Sequence, residues 1–215
     1  MQRGVRHLGD ILTHMPDAID HDGLYRLAES QAGYFTAQDA IAAGMDRSTL
    51  RHHARPGGRY ERVRRGLYRL RHFPSSPHEH VVAGWLGLRS AGAVVSHESA
   101  LELHDLSDVI PAVVHISIPR AKRGQRPRPG VRFHTVERAP GRSEVTTVHG
   151  VLVTTPDRSI VDSLESGTQP EQVEMAIRQA LDRGLTTPRR LRRAADGRSS
   201  RVRAFIDSVL DTVRT

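Results

Sequence analysis

Between residues 36 and 70 the chain reads TAQDAIAAGMDRSTLRHHARPGGRYERVRRGLYRL, and this stretch constrains the fold more than any other. Thr36 and Asp39 stand three apart, the spacing at which a threonine and an acid reciprocally satisfy the free amides of a helix start. Ala37, Ala40, Ile41 and Ala43 follow as small apolar residues suited to close helix packing. Gly44 can then end the helix in a left-handed conformation. Asp46 caps a second helix, with Ser48 and Thr49 in its first turn. On that helix Leu50 and Ala54 are four apart and can face inward, while Arg47, Arg51 and Arg55 share another face with His52 beside them. Pro56, Gly57 and Gly58 break the helix. Tyr60, Arg62 and Arg64 alternate with Glu61, Val63 and Arg65, Gly66 turns the chain, and residues 67–70 return as a strand. Helix, tight turn, arginine-faced helix and basic hairpin together predict a winged helix-turn-helix.

Such a helix can lay its polar side into the major groove of duplex DNA. On this reading Ser48, Thr49, Arg51 and His52 approach base edges. Arg47, Arg55, Arg59, Arg62, Arg64 and Arg65 grip the backbone, which positions the protein without specifying sequence. From residue 46 to 71 nine arginines stand against two acids, Asp46 and Glu61. Each phosphate they neutralise releases condensed counterions, so binding is expected to be salt-sensitive. Arginine supplies every cationic side chain except Lys122. The local excess over acids is therefore a better signal than arginine abundance.

The 215 residues carry a net charge of +8, which suits a polyanionic partner. There is no cysteine, which excludes disulfides and thiolate chemistry and leaves zinc only His, Asp and Glu as ligands. No segment approaches a membrane span and residues 1–20 contain no long apolar run, so the cytoplasm is expected and a membrane partner is not. Aromatic residues are 4% of the chain, which argues against stacking on single-stranded bases.

Residues 1–20 mix Gly, Pro, His and charge and read as a flexible arm. Residues 21–72 form the winged unit, with Leu24, Leu27 and Ala28 marking its first helix and Tyr34 or Phe35 plugging its core. Two prolines within 73–77 predict an extended linker. Residues 78–215 read as an α+β domain with a small, mostly antiparallel sheet and C-terminal helices. Helical spacing runs through Val81, Val82, Trp85 and Leu88, and residues 91–103 suggest a helix pair or a helix after a tight turn, with Ser96 as a cap. Strands are predicted over 113–118 and 131–136, and over 145–148 paired with 151–154 across His149 and Gly150. Helices follow from Pro156, over 172–183, over 187–191 and over 201–213. The basic segment 119–130, PRAKRGQRPRPG, joins two strands. It reads first as a solvated, mobile hairpin loop, and otherwise as an extra phosphate-contacting finger or a partner-facing loop.

Catalytic motifs are weak. His78-Glu79-His80 lacks the one-turn spacing that puts two imidazoles on one helix face, and His97-Glu98 meets its next histidine only at His104. Asp157 and Asp162 invite a nuclease reading, but no acid-x-Lys element accompanies them. Capping by Asp157 and a salt bridge to Arg158 or Arg178 suit them better. There is no GxSxG and no phosphate-cradling glycine loop. The expectation is a non-enzyme with no catalytic residues, no metal and no cofactor.

The chain resembles the AbiEi-type antitoxins. In the winged block the match is carried by Leu24-Tyr25-Arg26-Leu27-Ala28, by residues 33–40 (GYFTAQDA), by Gly44-Met45, by Leu50-Arg51-His52 and by residues 64–70 (RRGLYRL). In the second domain it is carried by residues 93–101 (AVVSHESAL) and 150–162 (GVLVTTPDRSIVD). The resemblance implies a bacterial type IV toxin-antitoxin system. The winged domain would bind inverted repeats in its own promoter and repress the operon, and the second domain would counter a nucleotidyltransferase-like AbiEii toxin. Whether the two proteins touch is left open by the resemblance. The rival readings are a winged-helix transcriptional regulator unrelated to toxins and a toxin-docking module that does not bind DNA.

Overall fold

The structure is a computed structural model and describes residues 18–213 except 125 and 127. Most of the arm expected over 1–20 therefore lies outside the described residues.

The winged unit begins with α1 (His21–Glu29), whose start is capped by the Asp20 carboxylate accepting from the Gly23 amide at 2.7 Å. After β1 (Tyr34–Thr36) comes α2 (Ala37–Ala42), where the expected reciprocal cap is formed. The Asp39 amide donates to Thr36 Oγ1 at 3.2 Å, and the Thr36 amide donates to Asp39 Oδ2 at 2.8 Å. Gly44 turns the chain at φ 84°, and Asp46 caps α3 (Arg47–His53) by accepting from the Thr49 amide at 2.7 Å. The hairpin is β2 (Tyr60–Arg64) and β3 (Leu67–Leu70), and the three strands form an antiparallel sheet in the order β1-β3-β2.

Strand alternation sends the two faces of this sheet into different cores. Phe35, Tyr60 and Leu70 join Leu24, Ala28, Ala40, Met45 and Leu50 in the core of the winged unit. Tyr34 and Leu67 instead join Val81, Trp85, Val95, Ile116 and Val153 in the core of the following half. The sequence offered Tyr34 or Phe35 as the plug of one small core; both are buried, one in each core. The two halves meet across further contacts. Arg69 pairs with Glu79 at 3.0 Å, and Arg89 pairs with Asp39 at 2.6 Å. At the tip of a distant hairpin a Cβ on Gly150 would lie 2.3 Å from the Ser30 carbonyl, so only glycine permits that approach.

The following half opens with α4 (Glu79–Leu86) and β4 (Val94–Val95), then α5 (His97–Leu103), β5 (Val114–Pro119) and β6 (Val131–Val136). The hairpin β7 (Val145–Val148) and β8 (Val151–Thr154) turns at His149 and Gly150, both at positive φ, as a two-residue hairpin requires. The helices α6 (Pro156–Ser166), α7 (Pro170–Asp182), α8 (Pro188–Ala195) and α9 (Ser200–Val213) follow. They enclose a helical core of Ile160, Leu164, Val173, Ile177, Leu191, Val202 and Ile206, to which α5 contributes Leu101.

The five-stranded sheet runs β6-β5-β4-β8-β7 and is mixed. Antiparallel pairing holds for β4 with β5 and for β7 with β8, whereas β4 pairs with β8, and β5 with β6, in parallel. The basic segment between β5 and β6 is therefore a crossover that returns the chain to the start of the next strand, not a hairpin loop. The strand β4 falls inside the stretch read as helical, and two residues are too few to show a period.

Candidate nucleic-acid interface

The faces of α3 follow from one buried residue. Leu50 points into the winged core; Ser48 and His52 lie on the opposite side of the helix and Arg47 and Arg51 on its flanks, all four exposed, with Thr49 half-buried. Ser48 Oγ also donates to Asp46 Oδ1 at 2.8 Å. These amide and hydroxyl donors hold the Asp46 carboxyl below its usual range. The helix ends at His53, so Arg55 lies in the following turn and not in the helical stripe with Arg47 and Arg51, where it was expected. His53 faces inward, 5.7 Å edge-on from the Tyr60 ring, and burial and the nearby Arg59 push its pKa down.

Arg71 fixes the turn that joins helix to wing. Its guanidinium donates to the carbonyls of Gly58, at 2.5 Å, Tyr60, at 3.1 Å, and Arg55, at 3.3 Å. Sequence reasoning passed over Arg71 because its partners lie on the far side of a loop. Arg59, Arg62 and Arg65 are exposed. Among the described residues Arg47, Arg51, Arg55, Arg59, Arg62 and Arg65 make no ion pair with a carboxylate, while Arg69, Arg89, Arg158, Arg190 and Arg198 all do.

Arg64 stands apart from that group. A bulge falls between Arg62 and Arg64, which sit opposite Tyr68 and Leu67 respectively. Opposed residues share a face, so the extra residue Val63 moves Arg64 to the side occupied by Leu67 and Tyr34. There Arg64 is half-buried and donates to the Ala83 carbonyl of α4. Burial and the neighbouring Arg128 hold its pKa below the usual arginine range. Arg128, from the basic crossover, donates to the Gly87 carbonyl at 2.8 Å, so the foot of that segment rests beside the wing.

The other candidates of the sequence are dispersed. His78 and His80 each lie 3.6 Å from Glu102. His104 is buried and its Nε2 donates to the Thr154 carbonyl at 2.7 Å. Asp162 is paired with Arg158 at 2.7 Å, as expected, and with Arg198. Asp157 is paired with Arg190 at 2.7 Å instead of Arg178, which goes to Glu174. Both aspartates are thus neutralised by arginine. His97, by contrast, meets two histidines that no sequence motif connected to it, His115 and His134. Burial lowers all three; neighbouring imidazoles add to it at His97, which falls to about 2, and at His134, which falls to about 4, while at His115 Glu98 opposes it and Arg132 adds to it.

Residues 24–71 match the family model described as a transcriptional regulator, AbiEi antitoxin. The winged block is similar to the AbiEi antitoxin domain. The match spans the turn, the arginine-faced helix and the wing described above, and it agrees with the resemblance read from the sequence. No curated protein matches the chain. Among solved structures, the crystal structure of the Rv2827c protein from Mycobacterium tuberculosis superposes with a TM-score of 0.54 at 17% identity, covering 88% of this chain and 75% of that one. At that identity the likeness concerns the fold alone. No helix among the described residues is long and apolar enough to cross a membrane.

Proposed function

We propose that this protein is a DNA-binding antitoxin that represses its own operon and counteracts a nucleotidyltransferase-like toxin. The α3 helix enters the major groove, where Ser48, Thr49, Arg51 and His52 meet base edges. Arg47, Arg55, Arg59, Arg62 and Arg65 hold the flanking phosphates. The observation that carries this reading is the group of exposed arginines, without a carboxylate partner among the described residues, on the helix and wing of an AbiEi-type domain. Unpaired guanidiniums keep their full charge for phosphate, whereas Arg89, Arg158, Arg190 and Arg198 of the other half are committed to acids. Arg64 leaves the backbone-gripping group and acts as a strut between wing and α4.

The protein is read as a regulator and not as an enzyme, acting in the cytoplasm on duplex DNA. The assignment of residues 21–72 to DNA rests on the matched family and on the exposed arginines of α3 and the wing, and that of 78–215 to the toxin rests on the resemblance read from the sequence. A gel shift with duplex DNA from upstream of its own gene tests the reading. The protein should retard that fragment at concentrations where a scrambled duplex of equal length stays free. Equal retardation of both would remove the operator claim, and no retardation at low salt would remove the DNA claim altogether. Co-purification with the adjacent gene product tests the toxin half of the proposal.

A further inference from the structure

We propose that His97, His115 and His134 form a binding site for a divalent transition metal of the zinc class. The three come from the start of α5, from β5 and from β6, and each offers a ring nitrogen within 4.8 Å of the others. His134 Nε2 and His115 Nδ1 stand 3.2 Å apart. Two nitrogens bound tetrahedrally at zinc distances are separated by about 3.3–3.4 Å, so this pair already has the spacing of adjacent ligands.

Two of the remaining nitrogens face a polar group on the far side of the ring, as those of metal-bound imidazoles usually do. His97 Nδ1 lies 2.8 Å from Ser96 Oγ, which itself accepts from Ser117 Oγ at 2.8 Å. His115 Nε2 points at Glu98 Oε2, 3.9 Å away, and the other oxygen of Glu98 accepts from Thr168 Oγ1 at 2.9 Å. A carboxylate behind an imidazole raises its basicity and fixes its ring, which suits a ligand better than an isolated core histidine. His97 also adopts φ 54°, a left-handed conformation that is costly for a side-chain-bearing residue. Three neutral nitrogen donors without a ligating acid favour zinc, copper, nickel or cobalt over magnesium or calcium.

Beside the cluster lies a cavity of about 280 Å³ lined by His97, His134, Arg158, Asp162, Glu165 and Arg198. It leaves room for water or a small anion as a fourth ligand. The His97 and His134 rings are stacked at 3.5 Å, so both reach one ion only if His97 tilts. Without metal, the same 3.2 Å contact is an N–H···N hydrogen bond between two neutral imidazoles.

Zinc titration of the untagged, chelator-stripped protein by calorimetry distinguishes these states, with cobalt absorbance as a check on coordination. The expected result is uptake of one equivalent with a rise in Tm. His134→Gln and His97→Gln should each abolish it, and Glu98→Gln should weaken it by about 10–100-fold. A His78→Gln, His80→Gln double variant should bind as the wild type does, because those histidines face Glu102 instead. Absence of uptake by the wild type, or uptake undiminished in His134→Gln, overturns the proposal. His134 is only half-buried on β6, so its variant keeps the test valid if His97→Gln does not fold.

Discussion

Single residues divide into those that point at solvent without a partner and those whose polar atoms are spent inside the fold. Arg51 belongs to the first kind. Arg51→Ala should weaken operator binding by about 1–3 kcal/mol and random-duplex binding by less. Fluorescence anisotropy on the two duplexes measures the difference, and equal losses would take Arg51 off the base-reading face. His104 belongs to the second kind. Burial is the main force that lowers its pKa, with Arg183 adding to it and the Thr154 carbonyl opposing. A base whose folded pKa lies below its unfolded value of about 6.5 binds its proton more readily when unfolded. Its contribution to stability is therefore complete above that pH and is lost as pH falls. Chemical denaturation should show a slope of up to about 1.4 kcal/mol per pH unit from this residue below pH ~6.5, and His104→Gln should flatten the curve there. A variant that keeps the wild-type slope would assign the acid sensitivity elsewhere.

Elements were legible where their signals are local. The Thr36–Asp39 and Asp46 caps, the glycine turn and the His149-Gly150 hairpin are all written within four residues, and each formed as expected. What escaped was long-range. The two-residue strand β4, the parallel return of β6 and the bulge at Val63 depend on pairing partners distant in sequence. The bulge matters most, because it separates Arg64 from its neighbours. Arg64→Ala should lower stability by about 1–3 kcal/mol through the Ala83 carbonyl left without its donor, with the salt slope of DNA binding unchanged. Arg62→Ala should do the reverse, reducing that slope by about one with little loss of stability. Urea melts alongside salt titrations separate the two, and identical behaviour would mean the bulge does not divide them. The histidine cluster was invisible for the same reason: His97, His115 and His134 share no motif and meet only through the sheet.

Over the whole molecule, the two halves read from the sequence as separate units share a buried boundary. The sheet β1-β3-β2 is covered on both faces, by Phe35 and its neighbours on one and by Tyr34 and Leu67 packed against α4 on the other. The wing is thus anchored to the half that follows it. Tyr34→Ala should cost about 3–5 kcal/mol, and the whole chain should melt in one cooperative step. Two well-separated calorimetric transitions would show the halves to be independent. The central claim is that helix and wing offer one charged face to a double helix. A salt titration of duplex binding tests it most directly, comparing the wild type with a variant in which Arg47, Arg55, Arg62 and Arg65 are all alanine. The predicted result is a log–log slope shallower by about 3–4 in the variant, with the folded state intact by circular dichroism. A folded variant that retains the wild-type slope and affinity would contradict it.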